Sequence, residues 1–359
     1  MGDSHSSGGS RPTLAKVATA AGVSLSTASL VFSGSGPVAE ATRRRVLDAA
    51  AELGYTGPNP LARSLRQGRS GIVGVLIGER LRYAFRDPVA VALMDGLNEE
   101  LAPAGFALLL LSGSSGRTGP DPDQVAKAPL DAAVVESCSS AEEPVLRSLR
   151  QRGVPLAVVE GPRIPGAPSV QLDNRGASRE LAEHLLGLGH RRLAVVTLPA
   201  SQPAGPGGWL DDERRALDDL PTWYDRLRGV EEAVGQRVPA WETASGLVEE
   251  GERAGRELLA GPDRPTAVIA QSDLLAIGVI HAARALDLRV PEDLSVVGFD
   301  GIDAPWLAPL RLTTVEQPMT EKGRAAGRMV VDLLSGARPE PVLVPTALRY
   351  GSSSGPPPA

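Results

Sequence analysis

A chain of 359 residues, 42% hydrophobic and 22% charged, is too long for one ordinary core and argues for two or three domains of a globular protein. Its one cysteine, Cys138, excludes an internal disulfide framework and fits a reducing compartment; no run reaches the ~18 uninterrupted apolar residues of a membrane helix. The net charge of −6 is uneven, because residues 11–70 hold eight basic and three acidic side chains, a balance of +5 against −11 elsewhere, as expected for a small nucleic-acid-binding module on an acidic body.

In chain order, "MGDSHSSGGS" lacks the apolar run of a secretory signal. A cytoplasmic protein with no membrane segment is therefore expected, with residues 1–12 a disordered tail. "TLAKVATAAG" opens at Thr13 as an N-cap, sets Leu14, Val17 and Ala18 on one face and stops at Gly22. Ser24, after a tight turn through Gly22 and Val23, caps a second helix. A third, Ala39 to Leu53, carries Val46, Leu47, Ala50 and Leu53 at helical spacing and ends at Gly54. Helix, glycine turn, helix is a helix-turn-helix, placed at residues 13–57. Residues 58–70 carry two prolines and read as a linker with room for one short helix after Pro60.

From Gly71 apolar runs such as "GIVGVLI", "FALLLL", "LDAAVVE", "PLAVVE", "RLAVVTL", "TAVIA" and "LSVVGF" alternate with helical stretches. Buried strands alternating with helices predict an α/β body with parallel sheets over 71–350. Roughly ten strands exceed one comfortable sheet, so two lobes are expected. Residues 199–222, Pro/Gly-rich and then acidic, read as a long surface loop with one or two helical turns. Residues 351–359, "GSSSGPPPA", lack core-forming side chains and are expected to be disordered.

"TLAKVATAAGVSLSTASLVFSG", "VAEATRRRVLDAAAELGY" and "PNPLARSLRQGRSGIVGVLI" resemble the lactose/galactose-repressor (LacI/GalR) family of bacterial transcription regulators. The resemblance continues through "LDNRGASRELAEHLLGLGHRRLAVV", "DRLRGV", "AVIAQSDLLAIGVIHAARALDLRVPEDLSVVGFDG" and "LTTVEQPMTEKGRAAGRMVVDLLSG". It implies an all-α helix-turn-helix head and a two-lobed, periplasmic-binding-protein-like α/β body of two Rossmann-like subdomains. Lobe one would hold about 71–169 and 301–326, lobe two about 170–300 and 327–350. An effector in the cleft would act on the head through a hinge at 58–70.

The same resemblance assigns sites. Leu25 and Ser26 fall where relatives contact bases, and Leu30 where many carry Arg. Thr27 and Ser29 fall at hydroxyl positions that meet phosphate, Thr42 and Arg43 at backbone contacts from the third helix. The cap residues Thr13 and Ser24 complete the set. Short hydroxyls near helix starts suit phosphate oxygens, although Leu30 could instead pack on a neighbouring residue. No Arg, Lys, Asn or Gln lies between Val23 and Phe32, so specificity must come from weaker contacts and DNA shape. In the hinge, Leu65 aligns with a minor-groove wedge, flanked by Asn59 and Arg63.

In the body, Arg226 occupies an Arg-x-x-Gly position that holds effector hydroxyls in sugar-responsive relatives. Asp300 follows a strand, where open α/β sheets bind ligands. Ser272 and Asp273 match a cleft position, and Asp273 could equally cap the helix after it. Asp173, with Asn174, starts a helix near the crossover and is open to the same two readings. Glu160-Gly161-Pro162 stands where relatives often have Asp-Arg.

His5, His184, His190 and His281 lack metal-ligand spacing, and no P-loop, nucleophile elbow or dinucleotide fingerprint occurs. No enzyme activity, metal or cofactor is expected. A bare small-molecule binding protein would not need the basic head. The expectation is a homodimeric repressor on a palindromic double-stranded operator, controlled by a small, sugar-like effector. No heptad tail follows Arg349, so a dimer is expected over a tetramer.

Overall fold

The computed structural model describes residues 12–34, 36–57, 68–113, 119–136, 143–201, 205–217 and 220–358. The chain divides into two compact units, residues 1–70 and 71–359. In the first, α1 (Leu14–Ala20), α2 (Leu25–Ser33) and α3 (Glu40–Glu52) pack together. Thr13 Oγ1 accepts from Lys16 N at 3.3 Å and Ser24 Oγ from Thr27 N at 3.1 Å. Each bond satisfies an amide that a first helical turn leaves free. The core is small: Val17, Ala18, Ala28, Val31, Val46 and Ala50 are buried, and Phe32 meets Tyr55 edge-on at 5.3 Å.

The second unit begins with β1 (Ile72–Ile77), α4 (Pro88–Leu101), β2 (Ala107–Ser112), β3 (Ala132–Glu136), α5 (Pro144–Gln151), β4 (Leu156–Val159) and β5 (Ser169–Leu172). The chain then crosses to a second lobe, starting with α6 (Asn174–Gly187), β6 (Leu193–Thr197), β7 (Gly208–Trp209), α7 (Pro221–Val234) and β8 (Ala240–Glu242). That lobe continues with α8 (Val248–Leu259), β9 (Ala267–Ala270), α9 (Asp273–Ala285), β10 (Ser295–Asp300) and β11 (Thr313–Glu316). α10 (Met319–Leu334) and β12 (Val342–Val344) return to the first lobe, and β13 (Ala347–Arg349) ends in the second. Sheet order is β12-β5-β4-β3-β1-β2 in one lobe and β13-β11-β10-β9-β6-β8-β7 in the other. Among these pairs only β11–β13 and β7–β8 are antiparallel. The central strands are runs of Val, Ile, Leu and Ala with both faces covered, the pattern of parallel sheets.

This connectivity corrects the expected lobe boundaries. β5 and β12 lie in the first sheet, β11 and β13 in the second. Lobe one therefore holds residues 71–172 and 318–344, and lobe two holds 173–316 and 346–358. The expectation put β11 in lobe one, and the second half of α10 together with β12 in lobe two. Pairing decides against both, since β11 lies in parallel register on β10 and α10 packs on α4. That last contact depends on glycine: a Cβ on Gly96 would run into the Thr320 carbonyl, and one on Gly323 into the Leu93 carbonyl.

Two further expectations change. Residues 199–222 are more than a surface loop. β7 adds an edge strand, and the helical turn Asp212–Arg215 sends Arg214 to Glu242 and Arg215 to Glu231, both buried acids. Residues 351–358 are not a disordered tail. Ser353 is fully buried: its Oγ donates to Val296 O and accepts from Thr313 N, and its carbonyl accepts from Val296 N at 2.8 Å. Gly355 O accepts from His190 Nε2 at 2.8 Å. The segment is held by hydrogen bonds to β10 and β11, so its lack of apolar side chains was no guide to order. No single helix among the described residues is long and apolar enough to cross a membrane.

Candidate nucleic-acid interface and ligand cleft

In the head, α2 turns Ala28 and Val31 inward. Leu25 is 55% exposed, Ser26 is exposed, and Leu30 is 36% exposed. Leu30 leans on Gly36, whose missing Cβ would lie 3.2 Å from Leu30 Cδ2. Ser24 Oγ lies 2.8 Å from both the Ser26 and Thr27 hydroxyls, so a cluster of three hydroxyls stands at the start of the helix. Ser29 and Thr42 are half-buried. Arg43 donates from Nη1 to Val31 O at 3.4 Å and pairs with Glu40 at 3.9 Å, which ties α3 to the end of α2. Arg44 and Arg45 stay exposed. Asn59, Arg63 and Leu65 lie outside the described residues.

In the body, a cavity of about 260 Å³ opens between the lobes. Arg226, on α7, is buried in its wall and only 3% exposed. Its Nε donates to Asn174 Oδ1 at 2.8 Å and its Nη1 to Gln271 O at 2.5 Å. Nη1 also lies 3.7 Å from Asp300 and Nη2 4.0 Å from Glu160, and the guanidinium stacks 3.5 Å over the Phe299 ring. Asp300 closes β10 with φ 126°, and its Oδ1 accepts from Gln317 Nε2 at 2.6 Å. Glu160 follows β4 with φ 48° and takes bonds from Asn174 Nδ2 at 3.0 Å and from Lys322 Nζ of α10. Of the three non-glycine residues with positive φ among those described, these two line the cavity. Such backbones cost about 1–3 kcal/mol each and concentrate at functional sites.

Charge in the cleft follows from this geometry. Burial would push the Glu160 carboxyl up, but Lys322 and Arg226, with the bonds from Lys322 and Asn174, hold it below the usual range. Burial raises Asp300 well above an ordinary carboxyl despite Arg226, and Asp273 and Asp87 add to the rise. Across the cavity, burial lifts Glu79 to about 8, helped by Asp87 and Glu136. Glu136 is lifted to about 7 by burial and then by Asp87.

The structure thus brings Arg226, Asp300 and Ser272 to one cavity and leaves two expected residues outside it. Ser272 faces the cavity and is also the cap of α9, its Oγ accepting from Leu275 N at 3.2 Å. Asp273 is fully buried behind the wall. Its carboxylate accepts from Gly301 N and Ile302 N, both at 2.8 Å, and from Thr314 Oγ1 at 2.6 Å. Asp273 is neither a helix cap nor a cavity residue: it pins the turn that presents Asp300. Gly298 permits this, because a Cβ there would overlap the Asp273 carboxylate. Asp173 is exposed and caps α6, accepting from Gly176 N at 2.8 Å. Sequence reasoning missed Lys322, Gln317, Glu79, Asp87 and Glu136, all on the wall. Glu79 and Glu136 had a readable signal, since each stands at the carboxyl end of an apolar run, where parallel sheets bind ligands.

Comparison with known proteins agrees with both halves. Residues 13–59 match the family "Bacterial regulatory proteins, lacI family", and residues 182–354 match the "Periplasmic binding protein-like domain". An HTH-type transcriptional regulator of Mycolicibacterium smegmatis is 36% identical, over 97% of either chain. A transcriptional regulator CelR in complex with cellobiose is 29% identical with a TM-score of 0.66, covering 96% of this chain and all of that one. The lac repressor dimer bound to operator and the anti-inducer ONPF shares the fold, with a TM-score of 0.75 at 22% identity over 96% of this chain and 99% of that one. A helix-turn-helix head, a two-lobed body and relatives named as regulators rather than enzymes converge: the chain belongs to the LacI family of bacterial transcriptional regulators.

Proposed function

We propose that this regulator is a repressor that binds a palindromic operator as a homodimer and is controlled by a small polyhydroxy molecule in the cleft. The observation that carries the effector half is the pairing of Arg226 with Asp300 on one cavity wall. Arg226 spends two of its five N–H donors on Asn174 and Gln271, and the remaining three beside the Asp300 carboxyl suit a ligand whose hydroxyls both donate and accept. The cellobiose in the CelR structure supports a sugar, and the operator-bound lac repressor dimer supports the symmetric DNA complex. Leu25, Ser26 and Leu30 would face bases in the major groove, with Thr13, Ser24, Thr27, Ser29, Thr42 and Arg43 at the phosphate backbone. Residues 58–70, with Asn59, Arg63 and Leu65, would be the hinge. Its work on the chromosome puts the protein in the cytoplasm.

An electrophoretic mobility shift on the DNA upstream of its own gene tests this reading, with a thermal-shift screen of sugars to find the ligand. A band at low salt that weakens steeply as salt rises, and that a sugar alters, is expected. Arg226→Ala should keep the band and lose the response to sugar. Absence of a band at every salt concentration refutes the operator assignment; an unchanged response in Arg226→Ala refutes the cleft.

A further inference from the structure

The polyol reading leaves part of the cavity unexplained. Glu79 follows β1, Asp87 caps α4 and Glu136 ends β3. β1 and β3 are parallel neighbours with Ile77 opposite Glu136, so all three carboxyls stand on the lobe-one wall. Neither buried cation of the cavity pairs with these three carboxyls: Arg226 meets Asn174, Gln271 and Asp300, and Lys322 meets Glu160. Arg80, also on the wall, forms no ion pair among the described residues. Glu79 and Glu136 make no side-chain hydrogen bond or ion pair among the described residues, and Asp87 spends Oδ1 on Val89 N.

A second observation points to a ligand. Gln317 and Trp223 line the same cavity, 5% and 1% exposed, and Gln317 Oε1 and Trp223 Nε1 are buried without a hydrogen-bond partner. One is an acceptor and the other a donor, and a ligand that came within reach of both would have to offer a donor and an acceptor. Among the described residues no three His, Cys, Asp or Glu side chains are placed to hold one metal ion. Unpaired carboxyls on a half-enclosed wall call for positive charge with several N–H donors.

We propose that the effector carries a primary ammonium group, seated among Glu79, Asp87 and Glu136, on a hydroxylated frame held by Arg226 and Asp300. That describes an amino sugar or amino polyol. A cavity of about 260 Å³, below the roughly 300–1,000 Å³ of most ligand pockets, suits a single ring. The assignment rests on the effector reading above and narrows it. Burial lifts Glu79 to about 8 and Glu136 to about 7, so protons compete with a cation for this wall near neutrality. An ammonium ion takes the place of those protons.

Isothermal titration calorimetry of the full-length protein with matched pairs decides it: glucosamine against glucose, galactosamine against galactose, mannosamine against mannose. At least one amine should bind tenfold or more tightly than its neutral partner at pH 7.5, and its N-acetyl derivative should lose the gain. The preference should vanish in the Glu79→Gln/Glu136→Gln variant, with a melting curve showing that it is folded. In the wild-type protein, affinity for the amine should rise from pH 6 to 7.5 as these two carboxyls ionise. Asp87 faces both, and Lys322 and Glu160 also face Glu136. A preference that survives the double variant, or affinity that falls over that pH range, overturns the proposal. Neutral sugars that bind with no amine preference overturn the ammonium assignment and leave the polyol reading standing. No binding by any member overturns both.

Discussion

On the proposed DNA assignment an arginine at position 30 would reach a guanine, and Leu30 is exposed enough on α2 to take a longer side chain without entering the core. Leu30→Arg should therefore add a base preference at one position of each half-site, worth about 1–3 kcal/mol, measured as binding to operators varied at each base. Asp273 carries a different burden. With its carboxylate gone, Gly301 N, Ile302 N and Thr314 Oγ1 lose their acceptor. Asp273→Ala should lower unfolding stability in urea by at least about 2 kcal/mol, because each stranded buried donor costs about 1–3. Glu79 and Glu136 hold protons in the folded protein at pH values where the unfolded chain, near the ordinary 4.5, has lost them. Their contribution is present at low pH and is lost as pH rises from about 4.5 to about 8. The melting temperature should fall between pH 5 and 8, and fall less in Glu79→Gln, as scanning calorimetry can check.

At the scale of elements, long apolar runs were legible, because a buried strand such as β3 or β9 is written in consecutive Val, Ile and Ala. The helix-turn-helix was legible too, from Thr13, Gly22 and Ser24 as start and stop signals. β7, β12 and β13 were not: two or three residues show no period, and their partners are far away in sequence. Arg226, Asp300 and Ser272 could be placed in the cleft by motif. Asp273 was misplaced because its partners, the amides of a distant turn, leave no trace in its own neighbourhood. The segment 351–358 misled for the reason already visible at Ser353: hydrogen bonds to β10 and β11 hold it in place of apolar contact. Truncation after Tyr350 should remove these bonds and lower the thermal midpoint of the body by several degrees, whereas a disordered tail could be removed without effect.

At the scale of the whole molecule, the proposed regulation requires the cleft and the DNA head to share one equilibrium. A ligand that changes operator affinity by some factor must have its own affinity changed by operator DNA by that same factor. Titrating ligand into the protein with and without saturating operator should return matching ratios, and a mismatch would mean that the two sites are not linked as proposed. The discontinuous lobes carry a further consequence, one concerned with synthesis. Lobe one needs α10 as the partner of α4 and β12 as its edge strand, and residues 318–344 leave the ribosome only after nearly all of lobe two. During translation residues 71–172 must wait with Gly96 and its neighbours uncovered. No ligand can meet a finished cleft until Lys322 and the rest of α10 have emerged to close lobe one, so a nascent chain would be blind to the proposed effector almost to the end.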